Sequence, residues 1–256
     1  MNEELEQSEI AGKLIAALKG GEFILYAQAI KAIGKTEGRS AYQEIFIRFQ
    51  EEERNLLPPG GFFPVLERYN LMGTLDKWVV ARVIRWFVAG RKSAGKDWTG
   101  ARCTINLSSD SIVGAGFAEF VTRQLKNSGV PSETLLFEIS EEDADNYSLP
   151  LDQLAQALKP LGCGFVVTSY TGEQVSNEML QALGINLVKI EGRIVRRIHD
   201  DEKSYAAASA IHNACREIGV RTIAELVERR ETLDALRKIG IDYAQGYGIA
   251  KPAPLK

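Results

Sequence analysis

Apolar positions along the chain change their spacing in a regular way, and the change predicts the elements. Leu5, Ile10, Leu14 and Leu18 fall at helical spacing over residues 5–18, and Gly20-Gly21 closes that stretch. Two strand-like runs follow, Phe23–Ile30 and Tyr42–Phe49. Next come two helical stretches, one carrying Val65, Leu66 and Tyr69, the other Leu75, Val79, Val83 and Trp86. From residue 101 the pattern becomes regular. Strands at Arg102–Ser108, Leu135–Ser140, Gly164–Tyr170, Leu187–Ile190, Val220–Glu225 and Tyr243–Ile249 alternate with helices at Gly114–Ser128, Pro150–Leu161, Gln174–Gly184, Ser204–Gly219 and Arg230–Gly240. Such alternation calls for an α/β fold with a parallel sheet, and about eight strands in a chain of 256 residues point to a closed barrel. An open doubly wound sheet is the alternative, but no G-x-G-x-x-G follows any of these strands. No low-complexity segment or long linker divides the sequence, which predicts an N-terminal helix over 1–22 leading into one barrel domain over 23–256.

Charge and composition narrow the function classes. Thirty-one Lys and Arg against 34 Asp and Glu give a net charge of −3, with no basic stripe for a nucleic-acid polymer and no polybasic segment for a membrane surface. Apolar runs are strand-length, far short of the ~20 residues of a membrane-spanning helix. The acidic start Met1-Asn2-Glu3-Glu4-Leu5-Glu6 lacks the basic and apolar regions of a signal peptide, so a cytoplasmic location is expected. Cys103, Cys163 and Cys215 are odd in number and widely spaced, as free thiols in a reducing compartment would be. His199 and His212 have no metal-ligand spacing, which argues against a His-based zinc site or a catalytic triad.

Polar residues interrupt the strands where a buried strand should be apolar. Side chains alternate along a strand, so Glu44, Phe46 and Arg48 share one face while Ile45 and Ile47 face the packing helices. Asn106 lies near the end of Cys103-Thr104-Ile105-Asn106-Leu107-Ser108, and Glu138 within Leu136-Phe137-Glu138-Ile139-Ser140-Glu141. Lys189 sits in Leu187-Val188-Lys189-Ile190-Glu191, and Glu225 ends Thr222-Ile223-Ala224-Glu225. Any one of these could be a paired structural charge or a solvated strand end. Together they bring three carboxylates, an amide and a lysine to the strand ends that form a barrel mouth. Isolated buried charges are costly, so the cluster suits cations or a polar ligand. Without divalent cations the carboxylates require Lys189 to pair with at least one of them, or one carboxyl to hold its proton.

These segments resemble, in order, those of the EAL domain family of cyclic di-GMP phosphodiesterases and receptors. Tyr26-Ala27-Gln28-Ala29-Ile30 is similar to its YQPI segment, and Glu44-Ile45-Phe46-Ile47-Arg48 to its E-A-L-L-R. Asn106-Leu107-Ser108 matches N-L-S, Glu138-Ile139-Ser140-Glu141 resembles E-I-T-E, and Val188-Lys189-Ile190-Glu191 resembles L-K-I-D. Ala224-Glu225-Leu226-Val227-Glu228 resembles A-E-G-V-E, and Gln245-Gly246-Tyr247 is Q-G-Y. The resemblance implies a modified TIM (β/α)8 barrel whose first strand runs antiparallel.

Departures from the family pattern shape the functional expectation. Where active members carry D-D-F-G this chain has Thr168-Ser169-Tyr170-Thr171, and Leu226 replaces a glycine. The resemblance implies that active members use two Mg²⁺ or Mn²⁺ ions, and ions held about 3.5–4 Å apart need shared anionic ligands. Neutral hydroxyls at Thr168 and Ser169 are poor ligands for hard cations. The expectation is therefore a chain that is not an enzyme, without metal or cofactor, in which Glu44, Asn106, Glu138, Lys189 and Glu225 are the remnant of a metal site. Its ligand would be cyclic di-GMP. The resemblance places Asp76 and Glu228 on guanine, Arg48 on a phosphate, Phe46 on sugar or base, and Gln28 and Gln245 on polar atoms of the ligand. Taken singly, Asp76 could instead be a helix N-cap and Glu228 a solvated helix start. Ile139-Ser140-Glu141-Glu142-Asp143-Ala144 and the E-x-F-x-R strand are similar to FimX-type EAL receptors, which implies a PilZ-type protein partner in type IV pilus control. Two alternatives stand beside it: a protein-interaction domain that no longer binds the ligand, and a weak residual phosphodiesterase using one metal or Glu141 as a substitute ligand.

Overall fold

The computed structural model describes residues 12–18, 20–33, 42–50, 56–57, 59–94 and 102–255, and the expected helical positions Leu5 and Ile10 lie outside them. A first helix, α1, covers residues 12–18. The barrel strands are β1 (Phe23–Ala32), β2 (Tyr42–Gln50), β4 (Arg102–Asn106), β5 (Leu135–Ser140), β6 (Gly164–Tyr170), β7 (Leu187–Ile190), β8 (Arg221–Ala224) and β9 (Tyr243–Ala244). Two-residue strands β3 (Leu56–Leu57) and β10 (Ala253–Pro254) pair with the margins of β2 and β1. The sheet runs β1-β9-β8-β7-β6-β5-β4-β2 and closes because β2 also pairs with β1. Only β1 opposes its neighbours: it is antiparallel to β2, with Gln28 across from Glu44, and to β9. Among the other barrel strands every pairing is parallel. The result is the mixed eight-stranded α/β barrel that the sequence predicts.

Period-two alternation sorts each strand between two apolar regions. Ile45, Ile105, Phe137, Val167 and Val188 point outward into the large core beneath the helices. Ile30, Tyr42, Leu136, Val166, Leu187, Ile223 and Tyr243 point inward and fill the barrel as a separate plug. Two residues along the strands from that plug stand Gln28, Glu44, Glu138, Lys189, Glu225 and Gln245. The same alternation therefore that closes the barrel floor with hydrocarbon places a polar ring immediately above it.

The helices are α2 (Pro59–Arg68), α3 (Met72–Ala94), α4 (Ser109–Val113), α5 (Phe117–Ser128), α6 (Glu141–Asn146), α7 (Ser148–Leu158), α8 (Asn177–Leu183), α9 (Gly192–Arg197), α10 (Glu202–Glu217) and α11 (Arg230–Ile239). Three expectations need correction. The helix expected over Gly114–Ser128 begins later, as α5 at Phe117 after Gly116 at φ 88°, and a separate helix that was not expected, α4, ends ahead of Gly114, whose Cβ would stand 2.3 Å from the Asp110 carbonyl. The strand expected over Tyr243–Ile249 keeps its ladder only at Tyr243–Ala244. Beyond it Gly246, at φ 151°, lies so close to Val227 that a Cβ would meet that backbone at 2.3 Å, so the chain turns away. Helices α6 and α9, six residues each, were not foreseen. Among the described residues no helix is long and apolar enough to cross a membrane.

Candidate functional site

The polar ring is organised around one ammonium group. Lys189, 1% exposed, projects from the fully buried β7 and holds Glu44 Oε2 at 2.6 Å and Glu138 Oε1 at 2.6 Å. Glu44 gathers two more donors: Asn106 Nδ2 reaches its Oε1 at 2.9 Å, and Gln245 Nε2 its Oε2 at 2.7 Å. Gln245 Nε2 also donates to Gln28 Oε1 at 3.1 Å, while Gln28 Nε2 donates to the Ala250 carbonyl at 2.8 Å. The structure thus brings Gln28, Glu44, Asn106, Glu138, Lys189 and Gln245 into one network, as the pairing requirement on Lys189 anticipated.

One ammonium cannot neutralise two carboxylates, and the charge divides unevenly. Burial pushes the Glu44 carboxyl up, but Lys189 and the donors from Asn106 and Gln245 outweigh it and hold the group below its usual value. Glu138 is pushed up to about 7, first by burial and then by the nearby Glu44 charge, against the pull of Lys189. For Lys189, burial favours loss of the proton, yet the two carboxylates more than compensate and raise it. Glu225, from the end of β8, is also raised, chiefly by burial.

Two cavities open on either side of this network and share Glu44 and Phe46. One, about 550 Å³, runs under α2 and α3 and is lined by Asp76, Asn106, Ser108 and Phe63 among others. The other, about 410 Å³, is bounded by Gln28, Glu225, Glu228, Gln245, Tyr247 and Arg196. Asp76 lies inside α3 and does not cap it. Its Oδ2 accepts from the Ser108 backbone at 2.9 Å and hydroxyl at 2.6 Å, and burial raises its carboxyl despite these bonds. Glu228 is exposed on the rim ahead of α11, whose cap is Arg229. Arg48 lines neither cavity. Its Nη1 donates to the Ile47 carbonyl at 2.8 Å, and its guanidinium lies 5.8 Å from the ring centres of Tyr26 and Phe46. Sequence reading missed Arg196, which sits on the unforeseen α9, and Ser108, whose hydroxyl occupies the Asp76 carboxylate.

Glu141 has a different task from that of a substitute ligand. As the first residue of α6 it is 3% exposed and accepts from the backbone of Thr171 at 2.7 Å, Gly172 at 3.0 Å, Gln174 at 3.4 Å and Val175 at 3.3 Å, and from the Thr171 hydroxyl at 2.8 Å. It therefore ties down the loop after β6. Thr168 and Ser169, the latter at φ 53°, lie just ahead of Tyr170 at the end of that strand, at the two positions where the family resemblance leads one to expect aspartates. As placed, the donors do not fit a binuclear metal centre. Glu44 and Glu138 are turned onto Lys189, Thr168 and Ser169 offer neutral hydroxyls, and among the described residues no group of three or more His, Cys, Asp or Glu could hold a metal ion.

Comparison with known proteins places the chain. Residues 11–252 match the EAL domain family. The cyclic di-GMP phosphodiesterase PdeB of Shewanella oneidensis is 33% identical over 96% of this chain, and the cyclic di-GMP phosphodiesterase PdeF of Escherichia coli 30% identical over 95%. The chain spans 28% and 32% of the length of these two relatives. The EAL domain of Xanthomonas citri FimX, solved in complex with c-diGMP, superposes with a TM-score of 0.87 over all of this chain and 98% of its own, at 22% identity, which speaks to the fold alone. The relatives overturn the expectation that the chain is not an enzyme, since they are named as phosphodiesterases. The chain belongs to the EAL domain family.

Proposed function

We propose that the barrel mouth binds cyclic di-GMP and that the chain serves as an EAL signalling domain for that dinucleotide in the bacterial cytoplasm. The observation that carries the reading is the pair of cavities meeting at Glu44 and Phe46, one bearing Asp76 and the other Glu228. A ligand with two guanines has two sets of N1–H and N2–H₂ donors, and a carboxylate accepts such a set in parallel. Phe46, between the cavities, offers an apolar face to sugar or base. Gln245 Oε1, buried and without a hydrogen-bond partner among the described residues, can accept from the ligand, with Gln28 bracing the amide. Arg48 can fork onto a phosphate once it leaves the Ile47 carbonyl. The names of the relatives agree with this ligand.

Calorimetric titration with cyclic di-GMP tests the proposal. Saturable 1:1 binding is expected, weakened by about 10-fold or more in Asp76→Ala and in Glu228→Ala. A titration without heat or saturation, in Mg²⁺ and in its absence, would overturn it. The relatives' names favour hydrolysis of the same ligand as a second reading. Accumulation of linear dinucleotide in Mg²⁺ or Mn²⁺, lost in Glu44→Gln, is its signature. The FimX-like segment Ile139–Ala144 extends the reading to a PilZ-type partner in type IV pilus control, and co-elution with such a protein in the presence of ligand checks that extension.

A further inference from the structure

Cyclic di-GMP carries two phosphate charges, yet the two mouth cavities are lined mostly by acids and apolar groups. Lys189 is committed to Glu44 and Glu138, and Arg48 lines neither cavity. Arg196 is the one cation on their walls among the described residues. Three arginines stand on α9, and their partners differ. Arg193 pairs with Glu191, and Arg197 lies 3.6 Å from Asp201. Arg196 has no ion pair or hydrogen bond among the described residues. It faces the cavity that also holds Glu228, Gln245 and Phe46.

The placing of α9 is itself built. Gly192 opens the helix, and a Cβ there would stand 2.3 Å from Leu226 Cδ1, so the first turn rests directly on the Leu226 side chain. Leu226 holds that position from the left-handed region, at φ 57°, which a leucine rarely adopts. Strain of this kind persists where surrounding structure imposes it, and it concentrates at functional sites. Residues four apart share a helix face, so seating Gly192 on Leu226 turns Arg196 towards the same cavity.

We propose that Arg196 is a phosphate-contacting residue of the mouth, positioned by the Leu226–Gly192 contact, and that it sets the affinity for the anionic backbone of the dinucleotide. The inference rests on the reading of the mouth as a cyclic di-GMP site. A guanidinium without a carboxylate partner is free to meet a phosphate with two parallel N–H groups. Guanine recognition by Asp76 and Glu228 would be untouched by its loss.

Calorimetry with cyclic di-GMP on the whole chain, at one fixed ionic strength, tests this with three variants. Arg196→Gln is expected to weaken binding about 10- to 100-fold, and Arg196→Lys to recover part of that loss. Arg193→Gln removes the same charge from the same helix outside the cavity and is expected to leave affinity unchanged. Melting of the unliganded variants should match the parent, which separates a lost contact from a damaged fold. Arg196→Gln binding as tightly as the parent would overturn the inference, as would an equal loss in Arg193→Gln, since bulk charge would then explain the effect. A parent chain that does not bind cyclic di-GMP at all would instead bring down the reading of the site, and this inference with it.

Discussion

At the floor of the mouth one buried ammonium faces two buried carboxylates, and this imbalance makes the site responsive to pH. Glu138 is pushed up to about 7 from an ordinary 4.5. Between these values the folded chain holds a proton that the unfolded chain has lost, so this group's contribution to stability is fullest below 4.5 and declines as pH rises to 7. Glu44 has the opposite sign: held low, it contributes above 4.5 and is lost as pH falls further. Lys189, raised above 10.5, contributes fully throughout this window. His212 and Glu225 also shift, so the comparison that isolates Glu138 is the parent against Glu138→Gln. Urea unfolding at pH 5 and pH 7.5 should show the parent gaining on the variant as pH falls, by on the order of 1–3 kcal/mol. Equal slopes in the two proteins would mean that the excess charge does not rest where burial and Glu44 place it.

Short elements carry the local organisation of the mouth, and they were the hardest to foresee. Glu141 opens α6 and collects four backbone N–H groups and one hydroxyl from residues 171–175. In Glu141→Ala those donors lose their acceptor, and since Val175 alone among them is buried the cost is about 1–3 kcal/mol. Amide exchange should then accelerate at Thr171, Gly172, Gln174 and Val175 while the amides of β7 keep their protection, and unchanged exchange in the loop would refute the anchoring role. Both α6 and α9 have only six residues, too few for a 3.6-residue period to declare itself, and α6 is Glu-Glu-Asp-Ala-Asp-Asn with one apolar residue. By contrast α3, with Leu75, Val79 and Val83 turned to the core over 23 residues, was plain from spacing. Ser108 could not be assigned to Asp76 beforehand, since the bond joins residues 32 positions apart and exists only once β4 and α3 are packed.

Across the whole molecule, the barrel and its polar ring were legible for one reason: seven of the eight barrel strands repeat the same two-residue step from apolar plug to polar mouth, β4 alone putting Thr104 at the plug level. Leu136 to Glu138, Leu187 to Lys189 and Tyr243 to Gln245 each pass from hydrocarbon to a polar group on the inward face. Arg48 was placed by the same alternation, yet its guanidinium folds back on the strand's own carbonyl, because a long side chain at a strand end is free to choose. Closure has a consequence for ligand binding. The mouth draws Gln28 from β1, Glu44 from β2, Glu225 from the end of β8 and Gln245 from beyond β9, on both sides of the antiparallel seam. A dinucleotide bound there would tie both ends of the strand order together, and would therefore favour the closed barrel over the unfolded chain. At cyclic di-GMP 100-fold above its dissociation constant, the folded state should gain about 2.7 kcal/mol. For a chain of this size that corresponds to a Tm rise of about 5–10 °C. Glu228→Ala, which leaves the barrel intact but removes one rim carboxylate, should melt like the parent without ligand and show a smaller rise with it. A Tm unmoved by the dinucleotide in the parent would show that the seam is not bridged.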